Sequence, residues 1–137
     1  MTAYATPADL ESRYGAAELL ALADRDGDGV VDAGVVEAAL DAACTLAEGY
    51  LRGRYALPVL VPPPDLLAAV CDLARALLYT LDAPQIVTDR DAAARRWLAA
   101  VASGAVQLDL PPAAAPAAGG LVELINGADS VFGRGRW

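Results

Sequence analysis

PDLLAAVCDLARALLYTL, residues 64–81, decides the fold class. Its apolar positions, Leu66, Leu67, Val70, Cys71, Leu73, Ala74, Leu77 and Leu78, recur at three- and four-residue spacing and form a stripe too wide for a surface helix. The spacing predicts a central helix, with Pro64 suited to its first turn and Asp72 and Arg75 as an i,i+3 pair on the narrow polar side. Upstream, Pro58 and Pro62-Pro63-Pro64 fix φ and hold the preceding residues extended, which separates this helix from another over residues 33–55. Val36, Leu40, Ala43, Ala47, Tyr50 and Leu51 mark the buried face of that second helix, and Gly49 and Gly53 mark close backbone contact or fraying near its end.

Outward from this pair, Thr6-Pro7-Ala8-Asp9 reads as a hydroxyl cap followed by Pro at the first helical position, for a short helix ending near Gly15. Residues 16–23 carry Leu19, Leu20 and Leu22 and predict a second short helix that runs into an acidic loop. Downstream, Thr88 is the expected cap of a fifth helix that reaches Ser103, stops at Gly104 and buries Trp97, Leu98 and Val101. Val106, Leu108 and Leu110 alternate as in a short strand over 106–110, with no sequence neighbour to pair with. The fold expected is therefore mostly α: about five helices in one helical domain, residues 1–110, with that strand at its end. The low-complexity PPAAAPAAGG of 111–120 reads as a linker, and 121–137 as an extended C-terminal arm.

Composition narrows the function. One domain is all that 137 residues comfortably hold. Of the 56% hydrophobic residues, 32 are Ala, so burial falls to Leu, Val and a few aromatics between thin, closely packed helices. There is no His and no Lys, which removes the usual neutral-pH acid–base group and weakens most enzyme readings. The net charge of −8 falls entirely on residues 1–50, against the basic footprint expected of a nucleic-acid or anionic-membrane binder. Cys44 and Cys71 lie in apolar helical stretches and read as buried free thiols. The start, MTAYATPADLESRY, has no basic region followed by an apolar run, and no stretch is apolar and long enough to span a membrane, so a cytoplasmic site of synthesis is expected.

One local motif carries chemistry. DRDGDGVVD, residues 24–32, matches the first nine positions of an EF-hand calcium loop, with Asp24, Asp26, Asp28 and Asp32 as oxygen ligands and Gly29 at the sharp turn. The twelfth position, a bidentate Glu in that motif, is Val35, and Glu37 stands two residues late. Two readings stand: a calcium site that staples two helices, or a metal-free turn whose aspartates bond their own backbone and cap the next helix. In the arm, Phe132 and Trp137 beside Arg134 and Arg136 read as interface anchors.

Taken in order, YATPADLESRYGAAELLALADRDGDGVVD, GYLRGRYALPV, PPPDLLAAVCDLARALLY and RRWLAAVASGAVQLDL resemble the phage Mu-like head–tail connector family, and VFGRGRW continues the likeness at the C-terminus. The Ala/Pro insert at 111–118 and the abbreviated tail depart from the pattern. The resemblance implies a non-enzymatic helical adaptor of the virion, assembled in the host cytoplasm as a ring of copies, a dodecamer in such families, under the portal. It would extend the channel through which DNA passes without specific binding, and would meet the portal and the next neck or tail-completion protein. The rival from another class is a single-loop calcium-dependent binding module.

Overall fold

The computed structural model describes residues 4–113, and the arm, with Phe132, Arg134, Arg136 and Trp137, lies outside them. Five helices follow one another: α1 (Pro7–Tyr14), α2 (Ala16–Ala23), α3 (Ala33–Leu51), α4 (Pro64–Leu78) and α5 (Gln85–Ser103). The long helices α3 and α5 both pack along α4, and α1 and α2 close one side of this group. Central α4 buries Leu66, Val70, Cys71, Leu73 and Ala74 completely. Ala43, Ala47, Ala74 and Ala23 are also fully buried, so the helices approach closely and the large side chains are few.

Local chemistry explains the boundaries. Thr6 and Asp9 form a reciprocal capping box, the Asp9 N–H donating to Thr6 Oγ1 at 3.2 Å and the Thr6 N–H to Asp9 Oδ2 at 2.8 Å. Gly15, at φ 97°, ends α1 and turns the chain into α2. The third helix stops at Leu51 rather than at residue 55, because Gly53 takes φ 98° and breaks the ladder. No atom lies within 4 Å of a Cβ built on Gly49, so that glycine serves no close backbone contact among the described residues. The fourth helix ends at Leu78, short of Leu81, which is 89% exposed.

Two further expectations are corrected. The fifth helix begins at Gln85 after Pro84, one turn before Thr88, because proline at the cap sets an extended φ, ψ without needing a hydroxyl. No strand forms at 106–110. Val106, Leu108 and Leu110 do turn alternately inward, but they pack on the helical core, and the Leu108 N–H donates to the Tyr55 hydroxyl at 2.9 Å. Backbone pairing begins only beyond, as a single antiparallel bridge between Tyr55 and Pro112, with Ala56 N–H to Pro111 O and Ala113 N–H to Arg54 O, both 3.0 Å.

Candidate functional site

The loop between α2 and α3 gathers the four predicted aspartates. One carboxylate oxygen from each of Asp24, Asp26, Asp28 and Asp32 falls within 4.8 Å of the others. Positive φ at Gly27 and Gly29 (74° and 81°) lets the chain wind tightly enough to do this. Backbone amides hold the carboxylates in place. Asp24 accepts from the Asp28 N–H (3.1 Å) and the Gly29 N–H (2.9 Å), Asp26 from the Asp28 N–H (3.2 Å), and Asp28 from the Val30 N–H (2.9 Å). Asp32 accepts from the Arg25 N–H at 2.8 Å, so its side chain closes the loop and makes no capping bond to α3. The metal-free reading is thereby corrected in one part: the aspartates bond their own loop backbone, but no side chain caps α3.

Hydration and repulsion divide these groups. Desolvation pulls Asp24 upward, but the Gly29 and Asp28 N–H groups and the neighbouring aspartates outweigh it and hold its carboxyl below the ordinary range. Asp26 accepts from the Asp28 N–H, which lowers it, yet the adjoining carboxylates of Asp24, Asp28 and Asp32 leave it raised overall. Among the described residues no guanidinium forms an ion pair with these carboxylates. Arg25 turns its Nε to Leu22 O (3.2 Å) and its Nη2 to Leu78 O (3.4 Å), fastening the loop to the end of α4.

A second polar assembly ties α4 to α1 and α2. Arg75 forks onto Glu18 through Nε (2.6 Å) and Nη2 (2.9 Å) and stacks over the Tyr14 ring at 4.4 Å. Asp72 accepts from the Tyr14 hydroxyl, so the expected Asp72–Arg75 pair does not form, each partner being claimed by α1 or α2. Burial, then the bond to Asp72, raises Tyr14 far above a free phenol. Beside this assembly opens a pocket of about 490 Å³ lined by Arg13, Tyr14, Arg75, Ile86 and Arg90. Neither Arg13 nor Arg90 has an ion-pair partner among the described residues.

Nucleophilic chemistry finds no support here. Burial pushes the Cys71 thiol up to about 12 and raises Cys44 as well, and the two remain free thiols within the core, as the sequence indicates. Tyr4 is likewise raised to about 12 by burial and by its bond to Glu48.

Comparison with known proteins then places the chain. The family model for bacteriophage Mu Gp36 matches residues 4–124. The chain belongs to the bacteriophage Mu Gp36 family. A search of curated proteins found no match. Membership makes this Gp36-family chain a phage structural or morphogenesis protein, in a family not known for enzymatic activity. No helix among the described residues is long and apolar enough to cross a membrane.

For this Gp36-family protein the aspartate loop is where the sequence indicates it, and the Arg13–Arg90 pocket is what sequence reasoning misses. Arg90 is far from Arg13 along the chain, and it takes the packing of both α1 and α5 on α4 to bring them to one opening. No short spacing signals such a pair.

Proposed function

We propose that the chain is a head–tail connector subunit that assembles with copies of itself into a ring beneath the portal and joins head to tail. Family membership is the observation that carries this reading. Two further features support it. The chain is strongly acidic overall, which lets DNA pass a channel wall without sticking. Large apolar side chains stand in solvent at Leu60 (85% exposed), Val61 (81%) and Leu81 (89%), as expected of surfaces that assembly covers. Twelve copies per ring follow from the likeness to connector families, and the portal and the next neck protein are the expected partners. The test is to image the purified protein and portal–protein mixtures by electron microscopy. Rings that stack coaxially on the portal are the expected result. A chain that stays monomeric with and without portal, or particles that join tails normally without it, would overturn the reading.

A second reading is favoured by one specific observation, the convergence of four carboxylates at 24–32. In it the loop takes up a calcium ion, which would serve as a staple between α2 and α3. Only the nine matched positions supply ligands, since Val35 holds the place of the bidentate Glu, so the affinity is weak.

A further inference from the structure

Among the described residues, two features of opposite charge form no ion pair. The 24–32 loop carries four carboxylates that meet only backbone N–H groups. The pocket offers Arg13, which lies 6.0 Å from the Tyr14 ring centre, and Arg90, while Arg75 is committed to Glu18, and Asp72 to the Tyr14 hydroxyl. Each feature also holds out an exposed apolar side chain. Val30, at the loop tip, is 63% exposed, and Ile86, on the pocket wall, is 52% exposed. Charge and apolar surface thus complement each other between the two sites.

We infer that the aspartate loop of one copy docks into the Arg13–Arg90 pocket of the next, Val30 against Ile86 and carboxylates against the two guanidiniums. The inference rests on the ring reading above and supplies its lateral contact. Because loop and pocket are separate features with no lining residue in common, the contact is head-to-tail, and each copy uses its loop on one neighbour and its pocket on the other. Such a contact closes into a ring when the rotation per copy divides a full turn. Guanidiniums suit carboxylates because their planar donors grip two oxygens at once. The pocket could equally meet the phosphates of DNA, but the chain's own loop supplies the acidic partner, with an apolar residue matched to Ile86.

Reciprocal charge reversal tests this. One variant carries Arg13→Glu and Arg90→Glu, the other Asp26→Arg and Asp28→Arg, each first shown to be helical by circular dichroism. Sedimentation should show wild-type rings, each variant alone associating roughly tenfold or more weakly, and an equimolar mixture restoring rings, because every loop then faces a pocket of opposite sign. Raising salt from about 50 to about 500 mM should weaken wild-type association, a measurement independent of any variant's folding. If wild type forms rings and the variants alone do so as well, or the mixture fails to restore them, the docking contact is wrong while the ring reading survives. If wild type never associates, both fall. If the Arg variant assembles normally but loses binding to double-stranded DNA in an anisotropy assay, the pocket holds phosphate and the inference is overturned.

Discussion

Arg75 and Asp72 stand three residues apart on one helix, close enough for a local pair, yet each spends its charge elsewhere. The Tyr14 ring lies 4.4 Å from the Arg75 guanidinium and directs it toward Glu18. Local spacing ranks neighbours along a helix, but it is blind to a partner 57 residues away that packing delivers. A consequence for stability can be measured. The Arg75 and Glu18 side chains keep 13% and 26% of their exposure, so the coupling in a double-mutant cycle of Arg75→Ala and Glu18→Ala should be about 1 kcal/mol. The bond from Arg75 is the main cause that holds Glu18 below the ordinary glutamate range, against the opposing effect of burial. A depressed carboxyl stabilises the fold above its unfolded-state pKa and loses that contribution as pH falls through its folded-state value. Thermal melting from pH 7 down to pH 3, followed by circular dichroism, should therefore show a steeper acid-side loss in wild type than in Glu18→Gln. Parallel curves would mean that the fork contributes nothing.

At the scale of elements, the helices were written in punctuation that physical chemistry makes unambiguous: Thr6-Pro7 and Asp9 at one start, the prolines before α4, Gly104 in the left-handed region at the end of α5. The two errors at helix ends have one origin, since an apolar pattern continues past the residue where backbone geometry stops a helix, as at Gly53 and at Leu78, whereas the early start of α5 comes from a proline cap that needs no hydroxyl. Residues 106–110 show the same limit from the other side. Alternation reports which side chains turn inward, and Val106, Leu108 and Leu110 do, but it does not report whether a strand lies alongside. The aspartate loop was legible because its four aspartates fall within one short stretch, 24–32, whereas whether it holds an ion depends on a charge balance that sequence does not state. In the calcium reading, the ion would cancel the repulsion that raises Asp26. Calcium should then raise the melting temperature of wild type, and the double variant Asp24→Ala, Asp26→Ala should melt alike with calcium and with chelator. Identical wild-type curves in the two conditions would leave the loop as a turn held by its own amides.

At the scale of the whole molecule, the described residues join a continuous core to a surface with exposed apolar side chains. Between Tyr4 and Val101 the buried side chains of the five helices, Val87 apart, form one continuous cluster, and the last described tie is the Ala113 N–H to Arg54 O. If the arm adds nothing to that cluster, removing residues 119–137 should leave the melting temperature of the helical body nearly unchanged. Yet Leu121, Val122, Leu124 and Ile125 are a costly set to leave in water. Burying four such side chains is worth on the order of 6–10 kcal/mol gross, before the costs of ordering and association. Phe132, Arg134, Arg136 and Trp137 follow them with the residue types that anchor interfaces. If the arm docks on a neighbouring copy or on the portal, deleting 119–137 separates two quantities that a fold-back onto its own domain would keep together. Circular dichroism should report an intact helical monomer, while electron microscopy reports no rings or no attachment to filled heads. A truncated chain that unfolds would assign the arm to its own core, and one that assembles normally would deny it a part in docking. Because the lateral loop–pocket contact proposed above lies wholly within residues 13–90, a truncation that keeps lateral association but loses the portal would place the arm's contact on the portal side of the ring.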